Sequence, residues 1–384
     1  MFVEDQTYFH DVATLMFLPP SLRNWGDLRV MILLGVIIAI LAILYLVGRF
    51  LGRQPEGTIN PAIVRMFQQR VQAWWLMYSV LAAGFLLGRV PTVVLIGLIA
   101  FWALREFISM TPTRRGDHSA LFWVFFVFTP AQFVLVGMGR AYYPVYSIMI
   151  PVFASLLIPA RITLSGDAKR FLERYAKIHV GLMICVYSLS FAAAVLDVEI
   201  APERAADVGA SAGGETQGEP AATEPEAAEP EAAEPDAMVN VGAVPVEARS
   251  PAGLLFYLVL IVQLADVFQY AWGRLLGKRV IAAHINASRT WEGLVGGVAT
   301  AAVCGVLFSW ITPFSWWGSS IMSMILAVMG AAGGMTMSAI KRDRGVTDYG
   351  TLVQGHAGVL DRIDSLCFAA PVFYHLVPLI TQLR

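Results

Sequence analysis

Three aspartates and one pair of basic residues stand out because each lies at or near the end of a long apolar segment. Asp361 and Asp364 are three residues apart, so one face of a helix carries both, and Asp266 lies near the end of an earlier segment. Lys341 and Arg342 follow a third segment. Carboxylate oxygens are the ligands that Mg²⁺ prefers, while metal ions and basic side chains neutralise charge that develops on a phosphate. The pattern therefore favours phosphoryl chemistry with one or two magnesium ions as cofactor.

Five more polar residues lie in the glycine-containing segments that connect these apolar stretches, namely Lys278, Arg289, Glu292, Asp348 and His356. Glycine lets the backbone approach a phosphate closely, so these segments suit a nucleotide. Each residue also has a plainer interpretation. Basic residues can mark the cytoplasmic side of a membrane, a carboxylate can form a structural ion pair, and a histidine can be bonded within its loop. The gathering of so many polar residues in a few segments favours a functional site.

Three ordered blocks of the sequence resemble the signature of phosphatidate cytidylyltransferases, also called CDP-diacylglycerol synthases. The longest block spans residues 338–364 and matches the family's spacing without a gap at Ser338, Lys341, Arg342, Asp348, His356, Gly358, Asp361, Arg362 and Asp364. The other two blocks span residues 266–278 and 289–293. The resemblance covers the chain from about residue 252 to the C terminus, whereas the earlier part fits the family only in being apolar and multispanning.

The resemblance implies a nucleotidyltransferase of phospholipid biosynthesis, which joins CTP and phosphatidate to give CDP-diacylglycerol and pyrophosphate. The lipid phosphate attacks the α-phosphorus of CTP, so no side-chain nucleophile is needed. The resemblance implies catalytic roles for Asp361, Asp364, Lys341, Arg342 and His356, and nucleotide-binding roles for Arg289, Glu292, Lys278 and Asp348. It further implies that Mg²⁺ is held by Asp361, Asp364 and Asp266.

Several positions depart from the family's pattern and indicate a divergent member. Thr347 stands where the family has a lysine, Ala357 replaces a glycine, and Asn286-Ala287 replace Ser-Pro. Arg289 replaces a lysine, which keeps the charge but changes the geometry. Alternatives to phosphatidate therefore stay open: another lipid phosphate, a polyisoprenoid phosphate, or a lipid-binding homologue without activity.

The elements that must position these residues are membrane helices. Hydrophobic residues make up 57 % of the 384 residues and charged residues 14 %, with a mean hydropathy of +0.64. Soluble domains carry about 25 % charged residues, so the composition argues against a soluble enzyme and a nucleic-acid binder. It predicts an all-α polytopic membrane protein. A transporter is disfavoured because it would carry polar residues through the mid-membrane, whereas here they gather at one set of helix ends.

Ten apolar segments are long enough to span a bilayer, which needs about 20 residues per helix. They cover residues 31–47, 71–88, 91–110, 120–138, 142–160, 178–196, 252–272, 293–313, 317–337 and 363–383. Of the 27 Lys and Arg residues, 20 fall in or beside the odd-numbered loops. The positive-inside rule then places both termini outside and the polar site at the cytoplasmic helix ends, in the inner, cytoplasmic membrane.

An acidic segment divides the chain into three predicted parts. Residues 1–200 form an N-terminal membrane region of about six helices, residues 251–384 a C-terminal catalytic region of about four, and residues 201–250 a linker. The linker repeats Glu, Pro and Ala and carries 11 acidic residues against two basic ones, which predicts a disordered tether outside the membrane. The small residues at 330–334 allow close helix contact, either within a subunit or in a homodimer.

Overall fold

The protein is almost entirely helical in a computed structural model that describes residues 28–53, part of 68–87, and residues 88–111, 113–198, 251–346 and 358–382. The described residues form nine long helices, namely α1 Leu28–Leu51, α2 Arg89–Ser109, α3 Arg115–Met138, α4 Arg140–Thr163, α5 Phe171–Asp197, α6 Pro251–Leu275, α7 Trp291–Leu307, α8 Trp316–Arg344 and α9 Leu360–Gln382. The strands among these residues are β1, Val280–Ala282, and β2, Asn286–Thr290, which pair antiparallel.

Eight of the nine helices are long and apolar enough to cross a membrane, which confirms the predicted all-α polytopic fold. The remaining helix, α7, has 17 residues and ends before the predicted span at 293–313 does. A 3₁₀ turn at Ser309–Ile311 follows it, and Thr312 is extended because the next residue, Pro313, disfavours helical backbone there. The predicted span at 71–88 lies mostly outside the described residues and stays a prediction.

Three helices of the N-terminal region contain a wider, π-helical segment. These segments are Val124–Phe128 in α3, Met149–Ala154 in α4 and Leu182–Ser188 in α5. A proline lies just after the first segment and another lies within the second, and proline has no N–H to donate to the carbonyl four residues earlier. In α3 the Thr129 hydroxyl donates to the Val124 carbonyl at 2.7 Å. A side chain thus satisfies part of the backbone within the membrane.

Helix α8 continues to Arg344, past the predicted end of the span at residue 337. It therefore carries Lys341 and Arg342 on its last turns, whereas the sequence prediction placed them in a loop. Gly345 ends the helix in the left-handed conformation, with φ of 70°, which glycine adopts without strain. Basic residues in the last turn also suit the negative end of the helix dipole.

Helices α6 to α9 approach one another at positions that lack a side chain. A Cβ atom at Gly293 of α7 would lie 2.6 Å from the carbonyl oxygen of Gln269 in α6. A Cβ atom at Gly333 of α8 would lie 2.7 Å from the carbonyl oxygen of Asp364 in α9. Such approach requires glycine. The small residues at 330–334 therefore serve a contact within the chain, and the homodimer stays a prediction.

The described residues before and after the acidic segment belong to one compact unit. Helix α1 packs against α6 through Leu33, Ile37 and Phe256, and helices α2 and α5 pack against α9. The acidic segment lies outside the described residues, so the linker and the division into three domains stay predictions.

Helix ends that the charge pattern assigns to the same face lie together in the structure. Arg89 and Asp197, at two predicted outer ends, form an ion pair of 3.1 Å. At the opposite ends of the helices, Arg344 of α8 lies 4.0 Å from Glu173 of α5. The structure thus agrees with the sorting of helix ends into two faces, while the identity of the cytoplasmic face stays a prediction.

Candidate active site

The candidate site lies where α6, α7 and α8 meet the β1–β2 hairpin, beside α9, which packs against α6 and α8. Strand β2 runs directly into α7, and Thr290 caps that helix because its hydroxyl oxygen accepts a hydrogen bond from the Gly293 N–H at 3.1 Å. The strand also runs close to α6, since a Cβ atom at Gly273 would lie 3.1 Å from the Thr290 hydroxyl oxygen. This path carries Arg289 to the polar part of α6.

Two side chains of α6 hold Arg289. Its Nη1 donates to Gln269 Oε1 at 2.6 Å and its Nη2 donates to Asp266 Oδ1 at 3.1 Å. A guanidinium presents its donors in a rigid fork, so Arg289 contacts two acceptors at once where a lysine would act as a point charge. The Arg289 side chain is consequently fixed in direction before any ligand binds.

Gln269 is a site residue that the sequence analysis missed. It is only 4 % exposed, and its Nε2 donates to the Ala327 carbonyl of α8 at 3.0 Å. A signal for it was present, because a glutamine inside an apolar segment needs a buried partner, and this one follows Asp266 by three residues on the same helix face.

Lys341 and Asp361 join α8 to α9. Lys341 Nζ lies 2.8 Å from Asp361 Oδ1, and the two side chains are 18 % and 10 % exposed. Because burial of one charge without the other is costly, this pair fixes the end of α8 against the start of α9.

Asp364 lies one turn further along α9 and faces the Arg289 side of the site. A Cβ atom at Gly334 would lie 3.2 Å from Arg289 Nη2 and 3.8 Å from Asp364 Oδ2, so both side chains border this glycine. Asp364 also lies within electrostatic range of Asp266 and Asp361. Asp364 therefore borders the same glycine as Arg289, which contacts Asp266.

Arg342 and Asn286 attach the hairpin to α8. The Nε of Arg342 donates to the Ile285 carbonyl at 3.2 Å, and Asn286 Nδ2 donates to the Ser338 hydroxyl at 3.1 Å. The Ser338 hydroxyl in turn donates to the Gly334 carbonyl at 2.7 Å. Arg342 thus contacts the hairpin, and no contact between it and the carboxylates is found among the described residues.

Glu292 organises the turn that connects α6 to β1. Its carboxylate accepts hydrogen bonds from the backbone N–H groups of Lys278 and Arg279, both at 3.1 Å. The Trp291 N–H donates to the Arg279 carbonyl at 2.9 Å. The structure thus gives Glu292 a part in shaping the loop, and the nucleotide contacts of Glu292 and Lys278 stay predictions.

The structure brings together five of the residues predicted for the site, namely Asp266, Arg289, Lys341, Asp361 and Asp364. Asp348 and His356 lie outside the described residues. Within the part of the chain that the structure describes, no three His, Cys, Asp or Glu side chains are grouped so that they could hold a metal ion. Two of the carboxylates are paired with cations instead.

Several known proteins are similar to this chain. The chain is 27 % identical to "Uncharacterized protein YnbB" of Escherichia coli K12 over 349 residues, which cover 90 % of this chain and 97 % of that protein. It is 38 % identical over 126 residues to a phosphatidate cytidylyltransferase of Haemophilus influenzae, covering 31 % of this chain and 44 % of that one. A phosphatidate cytidylyltransferase of Synechocystis is 35 % identical over 134 residues, covering 34 % and 45 %.

The named phosphatidate cytidylyltransferases thus match this chain over less than half of their own length. A much longer match is with the cytidylyltransferase family as a whole, which covers residues 68–380. This range includes all the site residues described above and most of the helices that precede them. The chain therefore belongs to the cytidylyltransferase family and is a membrane-embedded nucleotidyltransferase.

Proposed function

We propose that the enzyme transfers the cytidylyl group of CTP to phosphatidate, giving CDP-diacylglycerol and pyrophosphate. The observation that carries the proposal is the pair of cation–carboxylate contacts, Arg289 with Asp266 and Lys341 with Asp361, beside Asp364. A site with two fixed cations and three carboxylates suits a substrate that brings both phosphate groups and a divalent cation. The relatives named phosphatidate cytidylyltransferases support the choice of substrates.

The cation–carboxylate pairs prepare the site for an exchange of partners. Without substrate, each cation neutralises a carboxylate that would be costly to leave unpaired in a partly buried site. When CTP binds, Lys341 and Arg289 would contact its phosphate groups. The released carboxylates would then face the divalent cation that accompanies the nucleotide. The site therefore keeps its charge nearly balanced in both states.

Magnesium is the metal that the donor set favours. Asp266, Asp361 and Asp364 offer carboxylate oxygens, which are hard ligands typical of Mg²⁺, and the predicted site adds Asp348 from outside the described residues. When bound, Mg²⁺ supplies charge neutralisation at the phosphates. We propose that these aspartates hold one or two such ions once their pairs with Lys341 and Arg289 have opened.

The reaction needs positioning and charge neutralisation more than an activated side chain. An oxygen of the lipid phosphate forms a bond to the α-phosphorus of CTP, and the bond from that phosphorus to the bridging oxygen breaks as pyrophosphate leaves. Arg289, held by Gln269 and Asp266, and Lys341 offset the charge on the phosphates. The charge pattern of the loops supports a site that faces the cytoplasm in the inner membrane, where CTP is available.

Another lipid phosphate, including a polyisoprenoid phosphate, is the second candidate acceptor. It is favoured by the short match to the named phosphatidate cytidylyltransferases, which covers only about a third of this chain. The part of the chain outside this match can hold a different lipid tail. The cytidylyl transfer itself is the same for both acceptors.

The proposal is tested with purified protein, labelled CTP and Mg²⁺, supplied with phosphatidate or with a polyisoprenoid phosphate. We expect label to appear in the organic phase with phosphatidate. Transfer to the polyisoprenoid phosphate alone would favour the second candidate. Absence of transfer to any lipid phosphate would contradict the proposed activity.

The same assay tests the role of Asp361. We expect Asp361→Asn to lower the rate at least about a hundredfold, because the site loses a carboxylate proposed to hold the Mg²⁺ that neutralises the phosphates. Asp343→Asn is the matched control, since the Asp343 side chain is 67 % exposed and pairs with Arg344. Near-normal activity of Asp361→Asn, or an equal loss in the control, would refute the assignment.

A further inference from the structure

Glu106 of α2 contacts the start of α9, the helix that carries Asp361 and Asp364. Its Oε1 accepts a hydrogen bond from the Val359 N–H at 3.1 Å, and its Oε2 accepts one from the Leu360 N–H at 2.9 Å. The Trp102 indole N–H donates to Oε1 at 3.1 Å. Glu106 is only 5 % exposed, so this carboxylate is buried and all three of these donors face it.

These hydrogen bonds satisfy the backbone where α9 begins. The first N–H groups of a helix have no partner within the helix, and a nearby side chain usually accepts from them. Here the acceptor comes from a distant part of the sequence, and its negative charge suits the positive end of the helix dipole. Leu360 is fully buried, and Asp361 is the next residue.

Helix α2 is itself held firmly on the side that carries Glu106. Ala103 and Leu104 are fully buried, and Phe107 is 2 % exposed. A Cβ atom at Gly181 of α5 would lie 2.6 Å from the Phe107 ring, so α2 and α5 are in close contact. Glu106 therefore acts from a fixed point, and its carboxylate restricts where α9 can begin.

We propose that Glu106 is a positioning residue of the enzyme, which sets the start of α9 so that Asp361 meets Lys341 and Asp364 borders Arg289. The role assigned to these aspartates rests on the proposed function. Through Glu106 the N-terminal region contributes to catalysis, although the hydrogen bonds described for its carboxylate go to the Val359 and Leu360 N–H groups and to Trp102. The carboxylate acts through two backbone N–H groups, so its effect depends on both of its oxygens.

Two variants test the proposal by graded loss of acceptors. Glu106→Gln keeps one acceptor oxygen, and Glu106→Leu keeps none. We expect hydrogen–deuterium exchange in peptides covering residues 358–368 to rise about tenfold in Glu106→Gln and further in Glu106→Leu. We expect kcat to fall in the same order, by about tenfold in Glu106→Gln, while the KM for CTP changes by less than about twofold.

Asp117→Asn is the matched control. Asp117 is another buried carboxylate of the N-terminal region, 1 % exposed, and its Oδ1 accepts a hydrogen bond from Arg174 Nε at 2.7 Å. We expect this variant to lower the melting temperature at least as much as Glu106→Gln does. It should leave both the exchange of residues 358–368 and the kcat of the folded enzyme unchanged.

The outcomes separate this inference from the proposed function. Unchanged exchange at the start of α9 in Glu106→Gln would overturn the inference, as would increased exchange with a normal kcat. An equal loss of kcat in Asp117→Asn would also overturn it, because general destabilisation would then explain the effect. If the wild-type enzyme used no lipid phosphate, the proposed function would fail, while the exchange data would still decide whether Glu106 fixes α9. If Glu106→Leu does not fold, Glu106→Gln carries the test.

Discussion

Arg289 is a departure from the family's pattern that the structure explains. Its guanidinium donates to Gln269 and Asp266 at once, which a lysine at the same position would not do. Gln269 is anchored on its other side by the Ala327 carbonyl. The arginine and the glutamine therefore form one unit, and a substitution of either residue changes the orientation of the other.

A double-mutant cycle measures this coupling. We expect Gln269→Leu to lower kcat/KM for CTP about tenfold, because Arg289 loses one of the two acceptors that orient it. In an Arg289→Lys background the same change should lower kcat/KM for CTP by less than about threefold, since a lysine has no second donor in a fixed direction. Steady-state kinetics of the four proteins provide the measurement. Equal costs in both backgrounds would show that Gln269 acts independently of Arg289.

At this scale the sequence predicted residues that carry charge and missed those that orient them. Asp266, Lys341, Asp361 and Asp364 were predicted because charge near a membrane segment is costly and so marks function, whereas the role of Arg289 was implied by the family resemblance. Glu106 and Gln269 act by hydrogen bonding to partners far away in the sequence. A polar residue inside an apolar segment was a signal for each of them, but nothing in the local sequence identifies their partners.

The β1–β2 hairpin is the element that the sequence analysis did not predict. Its strands have three and five residues, too short for an alternating pattern to be evident. Contacts with α8 hold it, through Asn286 to Ser338 and through Arg342 to the Ile285 carbonyl. These tertiary contacts add to the hydrogen bonds within the hairpin, and the local sequence does not reveal them.

Asn286 is expected to hold the hairpin in place. Asn286→Ala removes the hydrogen bond to Ser338, so we expect hydrogen–deuterium exchange of residues 280–290 to rise about fivefold and the KM for CTP to rise as Arg289 becomes less ordered. Thr336→Ala is the control, since this hydroxyl also lies on α8 but donates to the Ala332 carbonyl within that helix. An unchanged exchange rate in Asn286→Ala would mean that the hydrogen bond from Arg342 to the Ile285 carbonyl is sufficient to hold the hairpin on α8.

For the whole molecule, the sequence predicted the class of fold and most of the helices. Apolar length identifies a spanning segment, and eight of the helices meet that criterion. The predicted ends of the helices were less accurate. Helix α8, for example, continues into polar sequence until Gly345 ends it. The contact of α2 with α9 could not be predicted, since it joins residues that are more than 250 positions apart.

The orientation in the membrane is open to a direct test. A cysteine introduced by Ala222→Cys should react with an impermeant reagent in intact cells, because the acidic segment is predicted to lie outside. Lys169→Cys, at an exposed residue before α5, should react only after lysis. Both variants are made in a Cys304→Ser background, which removes the partly buried native thiol. The other two native cysteines, Cys185 and Cys367, are buried and should not react with the reagent. The reverse pattern of labelling would invert the predicted topology.

The short length of α7 has a consequence for the bilayer around the enzyme. With 17 residues and a rise of about 1.5 Å per residue, α7 extends about 26 Å, whereas a typical hydrocarbon core is about 30 Å thick. A helix shorter than the hydrocarbon core is accommodated by local thinning of the membrane, by snorkelling of flanking residues or by oligomerisation. Because α7 begins at the hairpin that carries Arg289, thinning at this end of the helix would bring the headgroup layer, and with it a lipid phosphate, closer to the site.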